Sequence, residues 1–256
     1  MFDEVKRTLR SLFSAPRETI RFVSPPDATD ADLAALPTRL LDEAASLRAT
    51  EWLRRSMTRF AVPVASRLPG HFEGYVRIYH PFVDHACMSL EDAMRDSWTT
   101  LIGDSMYEAR GAFDLAYRGV PNAHSPVGCL PRVLTDCLAA SLASATETPD
   151  ECFFAVWVGY GASVVPRHYA PTLHLPQRDY HVFSGPLSAA ATSFDQHFIV
   201  PTYQSANLWW PGDHAWCVAT GIDDAWTYVG GSRAFIDGII ADERFEAVET
   251  TADSDW

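Results

Sequence analysis

At 256 residues, with 47% hydrophobic and 12% aromatic side chains, the chain has the means to bury a sizeable core as one large domain or two small ones. Its formal charge of −13 is unevenly placed: residues 1–60 hold ten of the 20 basic and nine of the 33 acidic side chains, so the acidic excess lies in 61–256. A body of that sign repels phosphate backbones, which argues against nucleic-acid binding by the main domain.

The five cysteines (Cys87, Cys129, Cys137, Cys152 and Cys217) are odd in number and form no CxxC pair. That pattern predicts reduced, buried thiols in a cytoplasmic protein. The N-terminus lacks a secretory core and no apolar run approaches membrane-spanning length, so neither export nor a membrane span is expected.

In chain order, residues 2–14 carry Phe2, Val5, Leu9, Leu12 and Phe13 on one helical face, with Lys6, Arg7 and Arg10 elsewhere. Such a helix docks on the protein's own core or on a second subunit; weak peripheral contact with a membrane is the alternative. Pro25-Pro26-Asp27 reads as a linker, and Asp30–Phe60 as one or two helices. Pro63 and Pro69-Gly70 then mark a boundary. The expected organisation is a separable helical extension over 1–60, an α+β domain over 61–250 and an acidic tail at 251–256.

Within that domain, Tyr75–Tyr79 alternates as a strand and His80-Pro81 stops it. Residues 88–102 are expected to be helical, and 103–126, rich in Gly, Pro, Asp and Asn, to form a long surface excursion. Leu130–Ala145 reads as a helix. Cys152–Val158 is a nearly continuous apolar run, the mark of a central strand covered on both faces. Residues 162–178 read as an irregular loop, and Arg178–Ser184 as another strand.

Residues 207–249 are the most legible stretch. Asn207–Trp210 and Ala215–Thr220 read as strands joined by a turn, with Pro211-Gly212 suited to the centre of a type II turn. On the second strand Trp216, Val218 and Thr220 share one face, and Ala215, Cys217 and Ala219 the other. Gly221–Asp224 turns the chain into a strand at Trp226–Val229. Ser232 is the expected N-cap of a helix over Arg233–Ala241, striped by Phe235/Ile239 and Ile236/Ile240. Phe245–Glu249 closes the unit as a strand, which makes a small βαβ if the last two strands run parallel. The predicted fold is α+β, a mixed or antiparallel sheet packed with helices.

Several of these blocks resemble an uncharacterised family of actinobacterial proteins with Trp-rich segments. The blocks are Tyr75–Pro81, Thr148-Pro149 ahead of Cys152–Gly161, Arg178–Tyr180 with Gly185–Leu187, and Leu208–Asp213 through Gly230–Ser232. The resemblance covers about residues 65–250 and implies domain limits and source, with no activity to carry over.

The nine histidines invite a metal reading. His80, Asp84 and His85 lie close together, and His168, His174 and His181 are spread over a loop and a strand, but neither set has HExxH spacing. No metal and no cofactor is therefore expected. Gly159–Ser163 misplaces its serine for a nucleophile elbow, and Cys152 opens a buried strand, so no catalytic residue is assigned. Asp213-His214 reads as a turn rather than a dyad, Asp223-Asp224 as ordinary turn carboxylates, and Gly230–Ser232 as a capped turn rather than a phosphate loop.

Trp209 and Trp210 are adjacent, so on a strand they face opposite ways. One of them is therefore expected on the less buried face, beside the Pro211–His214 turn. Arg178 could serve as charge partner of Asp213 or as a cation over an indole. Arg178, Trp209, Trp210, Asp213 and His214 are the predicted binding surface. They point to a non-enzymatic module that binds a protein partner or its own copy. The competing class is a hydrolase using loop His and Asp residues.

Overall fold

The structure is a computed structural model, and it describes residues 28–57, 64–80, 83–84, 123–124, 127–160, 163–176, 178–194 and 203–254. Apolar residues on both faces of the strands dictate the architecture: such strands need cover above and below. The strands are β1 (Arg39–Leu40), β2 (Gly74–Tyr79), β3 (Val83–Asp84), β4 (Ala123–His124), β5 (Cys152–Trp157) and β6 (Leu173–Leu175). They continue as β7 (Arg178–Gly185), β8 (Leu208–Pro211), β9 (Cys217–Thr220), β10 (Trp226–Gly231) and β11 (Ala247–Thr250). Nine form one antiparallel sheet in the order β1-β7-β5-β8-β9-β10-β2-β11, with β6 sharing the outer edge of β7; β3 and β4 pair separately. Every residue of β8, β9 and β10 is buried.

The helices among the described residues are α1 (Asp30–Ala34), α2 (Glu43–Ser56), α3 (Arg132–Leu142) and α4 (Arg233–Ile240). One face of the sheet packs with α2: Leu53 and Met57 join Tyr75, Trp210, Cys217, Trp226 and Tyr228. The other face packs with α3 and α4: Leu134, Leu138, Ile236 and Ile239 join Val76, Phe154, Trp209, Trp216 and Val218. The alternation expected for β9 holds, with Trp216 and Val218 in one core and Cys217 and Ala219 in the other.

Ser232 caps α4 as expected, its hydroxyl accepting from the Phe235 amide. Strands β10 and β11 both pair antiparallel with β2 and so run parallel to each other. The unit β10–α4–β11 is thus a βαβ split by an inserted strand.

Four expectations are corrected. Residues 28–57 are not a separable extension: β1 pairs with Ser184 and Phe183 of β7, and Leu41, Leu53 and Met57 are buried in the main core. The physical reason is that the apolar stripe of α2 joins the core on that face, where Leu53, Met57 and Trp52 pack with Ala155, Leu208 and Trp210. The loop expected over 162–178 contains β6, which pairs with Leu173↔Tyr180 through Leu175↔Arg178. The Pro211-Gly212 turn is shifted: Pro211 stays in β8 opposite Cys152, and its carbonyl accepts from His214 N at 3.1 Å. The positive φ falls on His214 (57°), not on Gly212. The expected tail turns back on the domain as far as Ser254, whose carbonyl accepts from Val64 N. The helices expected over 2–14 and 88–102, and most of the 103–126 excursion, lie outside the described residues. No helix among the described residues is long and apolar enough to cross a membrane.

Candidate functional site

Antiparallel pairing decides which predicted residues can meet. Cys152 of β5 lies opposite both Gly185 and Pro211, whereas Trp157 lies opposite Tyr180. The Pro211–His214 turn is therefore at one end of these strands and Arg178 at the other. Arg178 cannot partner Asp213; it lies 3.6 Å from Asp223 instead.

At the first end, Asp213 is tied down by its own surroundings. Thr146 Oγ1 and Glu147 N donate to its Oδ2 at 2.8 and 2.7 Å, and Ala215 N to its Oδ1 at 3.1 Å. Burial pushes this carboxyl up, but those hydrogen bonds outweigh it and hold the group below its ordinary value. His214 points elsewhere. Its ring stacks on Trp52 at 4.4 Å and 19°, and Trp52 meets Trp210 edge-on at 6.2 Å. Burial lowers the His214 imidazole from its usual value, with Asp213 opposing and His71 adding to the shift. Asp213 and His214 thus diverge, as the turn predicted.

The expectation of a partly exposed tryptophan is overturned: Trp209 is 2% and Trp210 0% exposed. They do face opposite ways, but both faces are covered. Trp209 packs with Phe154 and Trp216, and Trp210 stacks on Phe153 at 5.8 Å beneath Trp52. What reaches the surface here is Trp52 and His214, carried on Trp210. Beside them runs an open groove of about 560 Å³. Arg39 and Arg48 line it from β1 and α2, and Asp150 and Glu151 from the turn before β5; Phe153 and His214 line it too.

At the other end, polar side chains from distant parts of the chain converge. Arg67 lies 3.4 Å from Asp224, and both are buried. Burial pushes the Asp224 carboxyl up, against the pull of the Arg67, Arg178 and Arg77 cations. The Asp224 carboxylate is also why residue 221 is glycine: a Cβ there would lie 2.1 Å from Asp224 Oδ2. Burial raises the pKa of the Tyr180 phenol, with the nearby Arg178 cation opposing. Asn207 uses its whole amide: Oδ1 accepts from Trp157 N at 2.9 Å, and Nδ2 donates to Tyr160 Oη and to the Thr220 carbonyl. Three buried side chains continue the network, with His80 Nε2 2.9 Å from Thr227 Oγ1 and Thr227 Oγ1 2.7 Å from Thr220 Oγ1.

Asp224, Arg67 and Thr220 were not in the predicted set. The pair Arg67–Asp224 spans 157 positions, and local spacing carries no trace of such a contact. Asp224 did carry one signal, an apolar neighbour in Ala225 that pulls the second Asp of the turn inward. The helix start at Ser232 is already supplied with an anion, since Arg233 N donates to Glu73 Oε2 at 3.0 Å. No cluster of three or more His, Cys, Asp or Glu side chains among the described residues is arranged to hold a metal, and His85 lies outside them. Comparison with protein-family models, with curated proteins and with solved structures finds no match for the chain.

Proposed function

We propose that the protein is a non-enzymatic binding module that associates with its own copy through the groove beside Trp52 and His214. The observation that carries this reading is the charge of the groove: it has both signs, and neither is taken up in an ion pair among the described residues. Arg39, Arg48, Asp150 and Glu151 are exposed, and none of them is in an ion pair among the described residues. A two-fold axis through such a groove sets the basic residues of each copy against the acidic residues of the other, which is the self-complementarity an isologous contact needs. The stacked Trp52–His214 pair supplies aromatic surface on a rigid floor, the kind of anchor interfaces favour.

Asp213 and His214, one loop His–Asp pair on which a hydrolase could draw, are committed to different partners, which counts against that dyad. The resemblance of residues 65–250 to Trp-rich actinobacterial proteins brings no activity of its own. A cytoplasmic setting fits the thiols: Cys152 and Cys217 are buried, and burial pushes Cys152 up to about 12.

The test is sedimentation of the full chain over a range of concentrations, with Arg48→Glu, Glu151→Arg and the double exchange. Each single reversal sets like charges together and should weaken self-association at least tenfold; the double exchange should restore it. A chain that stays monomeric at every concentration, or a double exchange no better than the singles, rules the reading out.

A further inference from the structure

Strands β1 and β6 pair with the same edge of β7, one after the other. They meet where Leu41 N donates to the Val182 carbonyl and Thr172 N to the Tyr180 carbonyl. Over this junction lies a cleft of about 760 Å³, walled by α1, by β1 and by residues 169–172. That volume falls in the range of about 300–1,000 Å³ usual for sites that take small organic molecules. The cleft shares Arg39, Leu41 and Ser184 with the groove beside Trp52, and the rest of its wall is its own.

Strand geometry decides what faces it. Leu33, Leu36 and Leu40 line the cleft and pack with Phe183 in the core on the α3 and α4 side. A Cβ at Gly185, two positions from Phe183, would lie 3.0 Å from Thr38 Cγ2, so Thr38 belongs to that face. Thr172 stands one position before Leu173, the partner of Tyr180, and so opposite His181. His181 is also two positions from Phe183, which sets Thr172 and His181 side by side on the same face.

Three polar atoms meet at this inner wall without partners: Thr38 Oγ1, Thr172 Oγ1 and His181 Nδ1 are buried and make no hydrogen bond. Thr38 is only 6% and His181 only 7% exposed. Buried polar groups are nearly always paired, so three orphans on one wall point to a partner from outside the chain. Both threonines line the cleft, and a turn about Cα–Cβ brings either hydroxyl to an occupant. The wall is also uncharged. Burial lowers the His181 imidazole from its usual value, against a backbone bond at Ala170, and so keeps it neutral near neutral pH. The charged lining residues Asp30, Arg39 and Glu43 are exposed at the rim, where water serves them.

We propose that this cleft binds an uncharged, mainly apolar small molecule bearing a hydroxyl group. Its body lies against Leu33, Leu36 and Leu40, and its hydroxyl bonds to Thr38 and Thr172. A charged ligand would bring its charge to a wall with no counter-charge, at a desolvation cost the neutral one escapes. The site stands apart from self-association through the groove, since neither threonine lines that groove.

The experiment is equilibrium dialysis of the full chain, at neutral pH, against naphthol, naphthalene, naphthoate and naphthylmethylammonium. Naphthol should bind saturably at one site, and naphthalene about fivefold more weakly for want of the hydroxyl. Thr38→Val combined with Thr172→Val should bring naphthol down to the naphthalene level. The melting temperature should not fall in that double variant, because the hydroxyls it removes have no partner inside the fold. Leu36→Trp, which fills the cleft, should abolish binding, and it decides the matter should the double variant not fold. No saturable binding of naphthol, an affinity unchanged in the variants, or tighter binding of either ion overturns the assignment. So does a lowered melting temperature in the double variant, which would show that the hydroxyls serve the fold.

Discussion

Trp209 and Trp210 are neighbours in β8, yet each belongs to a different core, and this shapes what each contributes. Trp210 lies between Phe153 and Trp52 on the α2 side, and its indole nitrogen makes no hydrogen bond. Its value is therefore area and stacking alone. Replacing it by Ala should cost about 3–5 kcal/mol of folding free energy, the usual range for truncating a buried aromatic. Trp210→Phe should cost clearly less, since no polar bond is lost with the indole nitrogen. Denaturant unfolding of both variants checks this, and equal losses would show that the nitrogen has a partner after all. The Arg67–Asp224 pair follows another rule. Burial costs both charges much of what their attraction returns, so the pair fixes geometry more than it adds stability.

At the scale of elements, the decisive ones are α2 and β1. Asp42 caps α2 through the Ala45 amide, and Ser46 Oγ donates to the Thr172 carbonyl, so the helix is fastened at its start as well as along its apolar stripe. A chain beginning at Ala61 loses this helix and the β1 edge, uncovering Trp210, Tyr228 and Trp226 on one face. It should therefore unfold without a cooperative transition or come out insoluble; a sharp melt from such a chain would restore residues 28–57 to the status of an attachment. The sequence shows clearly where strands and caps fall, because β2, β5, β7, β8, β9 and β10 each carry a local pattern and Ser232 a local cap. It is silent on where α2 docks, since an amphipathic stripe has the same spacing whether it meets its own sheet or another chain. Strands as short as β1 and β6 have no periodicity to read. The same limit applies to the sites. Adjacency correctly set Trp209 and Trp210 on opposite faces, but only the layers above and below decide that both are buried. Arg178 and Asp213 look like a charge pair, and only the register of β5 against β7 and β8 separates them.

For the molecule as a whole, what matters is a wide antiparallel sheet covered on both faces, with a different feature at each end of its strands. Order in the sheet then translates into order of local stability. Strands β5, β8, β9 and β10 each have a partner on both sides and cover above and below. Strand β11 is an edge with only half-buried or exposed residues, and β1 is a two-residue edge at the opposite side. Edge amides lacking a second partner open in local fluctuations, whereas central amides open only when the sheet itself comes apart. Native-state hydrogen exchange followed by mass spectrometry should find β8, β9 and β10 slowest, at the rate of global unfolding, with β11 and β1 released much earlier. The ion pair of Arg233 with Glu249 is exposed and fastens β11 only weakly, so removing it with Arg233→Gln should speed exchange in β11 and leave β9 unchanged. If β11 instead exchanges as slowly as β9, the split βαβ unit opens as one body with the central strands, and stability in this fold is uniform rather than graded from the centre outward.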